Sequence, residues 1–330
     1  MAKSERGEYT SMADFKRDDD MPLSGEEKRR LMRQDPTEKV PEKLAALDDS
    51  GPPAKTVKFI DREAARKLDA PATLKGYAPP WLGVSFAPKR AGAPPPPIVT
   101  RRGKRLDPLV IHQPDDRRIY NDTTYPWGCV CRITRPDGRR GSGVLIGARH
   151  VLTASHVVQW NTNVAERIEV HFAGNSARAT AFTEVAYAYT QIGDVTSSTV
   201  DEDYAVIVLT QRLGDRFGFF GTKLYDSSWD DDTVWDTIGY AIDVAQTNFP
   251  TFQRNVSLDE DEFDLGSGRA MTTSADAMPI QSGSPMFGRW TGDPVAYAVA
   301  VMSAQGGGDN WCAGGSDLNR IVRHARTQNP

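Results

Sequence analysis

At 330 residues, 39% hydrophobic and 25% charged, the chain can bury at least one sizeable core, and its length allows about two domains. Its apolar runs, such as Val295 to Met302 and Tyr204 to Leu209, fall well short of the roughly 20 residues of a spanning helix, which argues against a membrane anchor. The formal charge of −4, from 40 basic and 44 acidic residues, argues against nonspecific nucleic-acid binding as the activity of the whole chain.

The first residues, Met1 to Glu8, are not followed by an apolar stretch of about 7–15 residues, so they do not read as a secretory signal. Residues 1–109 contain 14 of the 22 prolines, including the run Pro94 to Pro97, and 22 basic against 17 acidic residues, a net of +5. Residues 110–330 hold 18 and 27, a net of −9. Low hydrophobicity, mixed charge and proline clusters predict a largely disordered N-terminal extension over 1–109. Within it, short helices are expected at Ser24 to Gln34, where Ser24 and Glu27 have capping-box spacing, and at Asp61 to Leu68.

From Tyr125 the texture changes to short β-rich runs separated by Gly, Asp, Asn and Pro. Strands are predicted at Cys129–Ile133, Gly143–Ile146, Arg167–Phe172, Thr180–Tyr187, Tyr204–Leu209, Thr233–Tyr240 and Ala296–Val301. Many short strands and few helices imply an all-β sandwich or a pair of barrels. One helix is expected at the end, with Ser316 capping Asp317–Arg326 and Leu318, Ile321 and Val322 forming its apolar stripe. The three cysteines, Cys129, Cys131 and Cys312, are too few for a disulfide framework and read as reduced structural thiols.

Three separated signals carry chemistry. Gly141 to His156 reads as a strand, a turn and a second strand ending in a histidine, whose imidazole can accept a proton near neutral pH. Asp203 stands at the mouth of the apolar run Tyr204–Leu209, where a carboxylate can orient an imidazole; Asp201 competes for that role. Asp276 to Pro285 carries Ser282 in a loop whose Gly283 and Pro285 permit a tight turn. His112, His150, His171 and His324 read as surface or core residues, with spacing that suits no metal site.

The order His, Asp, Ser, with gaps of 47 and 79 residues, resembles the trypsin-like (chymotrypsin-fold) serine peptidases over residues 110–330. The stretches Asp116 to Trp127, Thr153 to His156 and Ser282 to Pro285 are most similar to the bacterial glutamyl-endopeptidase (V8-like) branch. The resemblance implies an all-β fold of two six-stranded antiparallel barrels with a C-terminal helix, and a serine endopeptidase working through an acyl-enzyme without metal or cofactor. In that scheme Ser282 is the nucleophile, His156 the general base and Asp203 its orienting carboxylate, while the backbone N–H groups of Ile280 and Ser282 form the oxyanion hole. The α/β-hydrolase alternative is disfavoured, because no G-x-S-x-G elbow surrounds Ser282 and the order would be Ser, Asp, His.

Departures from the family pattern accompany the matches. Ile280 stands where the family normally has glycine, which favours a competing reading: a degenerate peptidase-fold protein that binds polypeptides without cutting them. Asp276 has the spacing of a carboxylate that binds basic side chains, and a structural role is open beside it. Met302, Ser303, Ala304 and Gln305 resemble the segment that pairs with substrate, with Met302 replacing a specificity histidine, so the expectation is a basic or undefined P1 preference. Gln281 replaces the aspartate that would clasp a freed N-terminus. The cationic extension, with Arg101 to Arg105 near its end, reads either as a zymogen-like segment inhibitory in cis or as a solvated tail. A monomer acting on polypeptides, with no nucleic-acid or membrane partner, is expected.

Overall fold

The computed structural model describes residues 20–31, 33–44, 51–67, 69–89, 100–101, 104–105, 111–112, 114–243, 247–261 and 266–330. Ahead of the main β-body lie helices α1 (Gly25–Arg30) and α2 (Arg62–Arg66) and the short strands β1 (Thr56–Phe59), β2 (Thr73–Leu74), β3 (Thr100–Arg101), β4 (Lys104–Arg105) and β5 (Arg118–Ile119). The cap expected at Ser24 holds, although α1 ends at Arg30, short of Gln34. Ser24 and Glu27 form a reciprocal capping box on α1, and Asp61 accepts from the N–H groups of Glu63 and Ala64 at the start of α2.

Six strands build the first barrel: β6 (Val130–Thr134), β7 (Arg140–Gly147), β8 (His150–Thr153), β9 (Arg167–Val170), β10 (Ala179–Ala188) and β11 (Ala205–Leu209). They run in the order β10-β11-β8-β7-β6-β9, and a β9–β10 ladder closes the ring. Strand β10 pairs with β11 on one edge, with a register shift between Thr183 and Val185, while on its other edge the first half pairs with β9 and the second half pairs in parallel with β1.

The second half contains β12 (Gly221–Lys223), β13 (Trp235–Gly239), β14 (Thr251–Val256), β15 (Leu258–Glu260), β16 (Arg269–Thr273), β17 (Pro285–Arg289), β18 (Ala296–Gly306) and β19 (Asp309–Gly314), with helix α3 (Leu213–Phe217) in the connection. The main path runs β15-β16-β19-β18-β17-β13-β14-β5. Among the described residues its end strands do not pair with each other, so this is a half-barrel where the sequence implied a second closed ring. The chain turns its corner between β14 and β15, where Asn255 has φ 59° and Ser257 belongs to neither ladder. An aromatic seam joins the halves, with Trp127 edge-on to Tyr120, Phe252 and Phe287 at 5.9–6.0 Å between centroids.

Helix α4 (Ser316–Gln328) buries Leu318, Ile321, Val322 and Ala325. Its N-cap is Gly315 at φ 91° instead of Ser316, so that helix starts one residue earlier than the sequence suggests.

The extension departs most from expectation, because its described residues 20–89 are folded onto both halves. Leu23 is wholly buried, β1 extends the first sheet and β2 pairs with β12. Two lysines explain how so polar a segment is held. Lys28 is buried beside Asp236 at 3.1 Å and donates to the Val234 carbonyl at 2.6 Å. Lys55 is buried against Glu166 at 2.5 Å and donates to the Gln159 carbonyl at 2.7 Å. Mean hydropathy is blind to such partners, which are supplied by residues more than 100 positions away. The run Pro94 to Pro97 lies outside the described residues.

Candidate active site

The apolar alternation of β8 runs out at Thr153, and a 3-10 turn over Ser155–Val157 carries His156. A second 3-10 turn, Val200–Glu202, ends on Asp203 just before β11. Antiparallel pairing of β11 with β8 sets Ala205 opposite Thr153 and so brings the two turns side by side. The Asp203 carboxylate accepts from the His156 N–H at 2.9 Å, meets the ring Nδ1 at 2.6 Å and accepts from the Ser303 hydroxyl at 2.6 Å. Asp203 is completely buried, whereas the His156 side chain is 21% exposed. A buried acceptor on Nδ1 favours the proton there, which leaves Nε2 as the accepting nitrogen of the neutral ring. The structure joins Asp203 to His156, with Asp201 lying within the preceding turn.

The Ser282 loop is made of two consecutive tight turns. The Gln281 N–H donates to the Met278 carbonyl at 3.0 Å, and the Ser284 N–H donates to the Gln281 carbonyl at 2.9 Å. The third residue of each turn, Ile280 and Gly283, has φ 84°. Glycine adopts that conformation freely, and at Gly283 an added Cβ would also stand 2.2 Å from the Ser142 carbonyl oxygen and 2.3 Å from the Thr153 hydroxyl. Ile280 takes the same backbone sign with a β-branched side chain, a strain of about 1–3 kcal/mol that surrounding contacts must hold in place.

Those contacts come from the first barrel. Ser142 on β7 donates its N–H to the Ser282 carbonyl at 2.8 Å, and its hydroxyl donates to the Ile280 carbonyl at 2.8 Å while accepting from the Tyr240 N–H at 2.8 Å. Thr153, three residues before His156, donates to the Ser142 carbonyl at 2.7 Å. Loop and histidine are thereby tied to the same pair of strands. Gly283 donates to the Met302 carbonyl and Met302 to the Ser284 carbonyl, both at 2.8 Å, which fixes the loop against β18 as well. Among the described residues the N–H groups of Ile280 and Ser282 have no acceptor within the chain, so both can serve a ligand oxygen.

Asp276 is fully buried and its carboxylate accepts from the N–H of His112 at 2.7 Å, the N–H of Asp116 at 3.2 Å and Gln253 Nε2 at 3.1 Å. Burial and the neighbouring acidic groups push its carboxyl up to about 6, against the two N–H bonds. Met302 and Ser303 are buried in the strand, whereas Ala304 and Gln305 line a cavity of about 360 Å³ with Val195, Val200, Ala270 and Trp311. The other histidines serve elsewhere. His150 meets the Ala325 carbonyl of α4 at 3.1 Å, His171 the Trp127 carbonyl at 3.3 Å, and His324 stacks edge-on with Tyr187. No group of three or more His, Cys, Asp or Glu that could hold a metal occurs among the described residues. Sequence reasoning missed Ser142 and Arg117, whose partners near Ser282 lie some 140 and 160 residues away and have no signature in sequence.

A family model described as a trypsin-like peptidase domain matches residues 141–296. A glutamyl endopeptidase from Bacillus licheniformis is 24% identical over 222 residues, covering 65% of this chain and 65% of its own length. Among solved structures, a Glu endopeptidase in complex with MPD aligns with TM-score 0.54 and 17% identity, over 64% of this chain and 97% of the other. The protease Anisep from Arthrobacter nicotinovorans aligns at TM-score 0.45 and 17% identity, over 58% and 90%.

Proposed function

We propose that this chain, whose β-body is a trypsin-like peptidase domain of the chymotrypsin fold near the glutamyl-endopeptidase branch, is a serine endopeptidase that cuts polypeptides through an acyl-enzyme. The observation that supports this reading is the contact at 2.6 Å between His156 and the buried Asp203 carboxylate, beside the strands that hold the Ser282 loop. The Ser282 hydroxyl attacks the scissile carbonyl carbon and its proton passes to His156 Nε2. Asp203 stabilises the imidazolium, and the proton then goes to the leaving amine. Water repeats the sequence on the acyl-serine. The N–H groups of Ile280 and Ser282 stabilise the oxyanion, an arrangement in which one donor is worth about 2.7–4 kcal/mol.

The strain at Ile280 favours a second reading, a protein that holds polypeptides without cleaving them. Fluorophosphonate labelling and peptide turnover separate the two. Labelling at Ser282 and turnover abolished by Ser282→Ala are expected; a folded wild type with neither would defeat the peptidase.

Turnover of a panel of Arg, Lys, Glu and Leu peptides addresses the P1 residue. We read Asp276 as a loop-holding group, since its oxygens take three donors from the chain itself. Asp276→Asn should then lower the melting temperature and leave the ratio of Arg to Leu cleavage unchanged. We read the extension likewise as a brace: among the described residues, 20–89 make no hydrogen bond to His156, Asp203 or Ser282 side chains.

A further inference from the structure

The guanidinium of Arg117 lies beneath the Ser282 loop, and its side chain is only 1% exposed. Its donors are all engaged. Nε meets Asp115 Oδ1 at 3.1 Å and Nη2 meets Asp115 Oδ2 at 2.8 Å, while Nη1 and Nη2 reach Asp243 Oδ1 and Oδ2 at 3.1 and 2.6 Å. The fifth N–H, on Nη1, goes to Gln281 Oε1 at 3.0 Å. Two carboxylates already balance the cation. A neutral amide oxygen is therefore the acceptor that completes the set, and a third carboxylate there would repel the other two. Burial weakens the guanidinium's hold on its proton, but its hydrogen bonds to Asp115 and Asp243 more than offset this, so the net shift is upward.

Gln281 is the corner common to both turns of the loop: its N–H closes the first and its carbonyl closes the second. Its side-chain oxygen also accepts from the Met278 N–H at 2.8 Å, so the amide grips the start of the first turn. The segment carrying Arg117 is itself fixed. Strand β5 pairs with β14, and the N–H groups of His112 and Asp116 hold Asp276 at the far end of the loop. His112, Asp116 and Arg117 thus clamp both ends of 276–281, with the strained Ile280 between the clamps.

We propose that Arg117 is a positioning residue for the nucleophile loop: through Gln281 it holds the Ile280 and Ser282 N–H groups in place to receive the oxyanion. This rests on the peptidase reading above. The cation is a side chain, so order in the loop does not depend on creating a new chain terminus. Loss of the clamp allows the Ile280 backbone to relax towards negative φ and turns a donor away from the oxyanion. The damage then falls on kcat more than on KM.

The test uses the full chain, with peptide kinetics, fluorophosphonate labelling and amide hydrogen exchange. Arg117→Met should lower kcat about 100-fold, the scale of one lost oxyanion donor, and speed exchange over 277–284 above the rest of the half-barrel. Added guanidinium ion should restore part of the activity, and Arg117→Lys should be intermediate because it keeps charge without the fork. Unchanged kcat, or a loss that no guanidinium or Lys recovers and that comes with exchange accelerated throughout, overturns the proposal. Should Arg117→Met not fold, Gln281→Leu leaves the carboxylate pairs of Arg117 intact while cutting its link to the loop together with the Met278 N–H bond; wild-type kcat in that variant overturns it equally. A wild type that never labels, with 277–284 still loosened by Arg117→Met, defeats the peptidase reading and leaves the clamp standing.

Discussion

Ile280 and Ser142 show how a local misfit is carried by a distant partner. A β-branched residue at φ 84° stays in place because the Ser142 hydroxyl holds its carbonyl at 2.8 Å. Ser142→Ala removes that bond and leaves the Tyr240 N–H without its side-chain acceptor, a loss of about 1–3 kcal/mol together with a fall in kcat. In an Ile280→Gly background the loop needs less restraint, so the same substitution should cost less activity. A double-mutant cycle on kcat reads this directly, and strict additivity would show that the hydroxyl does not act through Ile280. The identity of Ile280 was plain in the sequence; the hydroxyl that holds its carbonyl was not, because 138 residues separate the two.

Strands and helices with a clear periodic signal were legible. The expected runs at Thr180–Tyr187 and Tyr204–Leu209 appear as β10 and β11, and the stripe on α4 is the face it buries. Strands β15, β16 and β19 were not anticipated, since Leu258–Glu260, Arg269–Thr273 and Asp309–Gly314 mix charged, amide and glycine residues without alternation. The attachment of the extension was illegible for a related reason: it relies on buried ion pairs. Lys55→Met would leave the Glu166 carboxylate buried without its cation and should destabilise the protein by about 3–5 kcal/mol, with most of this recovered by adding Glu166→Leu. Urea unfolding measures both, and a single variant within about 0.5 kcal/mol of wild type would show that the extension is only loosely seated.

Across the whole molecule, burial of histidine imposes a pH dependence separate from catalysis. Burial holds His150 and His171 down to about 4 from the usual 6.5, helped by Arg326 and Arg149 around the first and by Arg178 beside the second. The unfolded chain binds more protons between those values, so stability present above pH 6.5 is lost as pH falls towards 4, of order 3 kcal/mol for each ring. Unfolding midpoints from pH 8 to pH 4 should trace this, and His150→Gln with His171→Gln should flatten the curve. Chain order alone singled out His156, Asp203 and Ser282 as candidates and showed that the fold is built from β-strands, because residue type and alternation are local properties. Tertiary structure decided that the described residues of 20–89 belong to the folded body, that the second ring stays open among the described residues, and that Ser142 and Arg117 bond to the serine loop. Each of these depends on hydrogen bonds or ion pairs between residues far apart in sequence, and such partners become visible only when the chain has closed on itself.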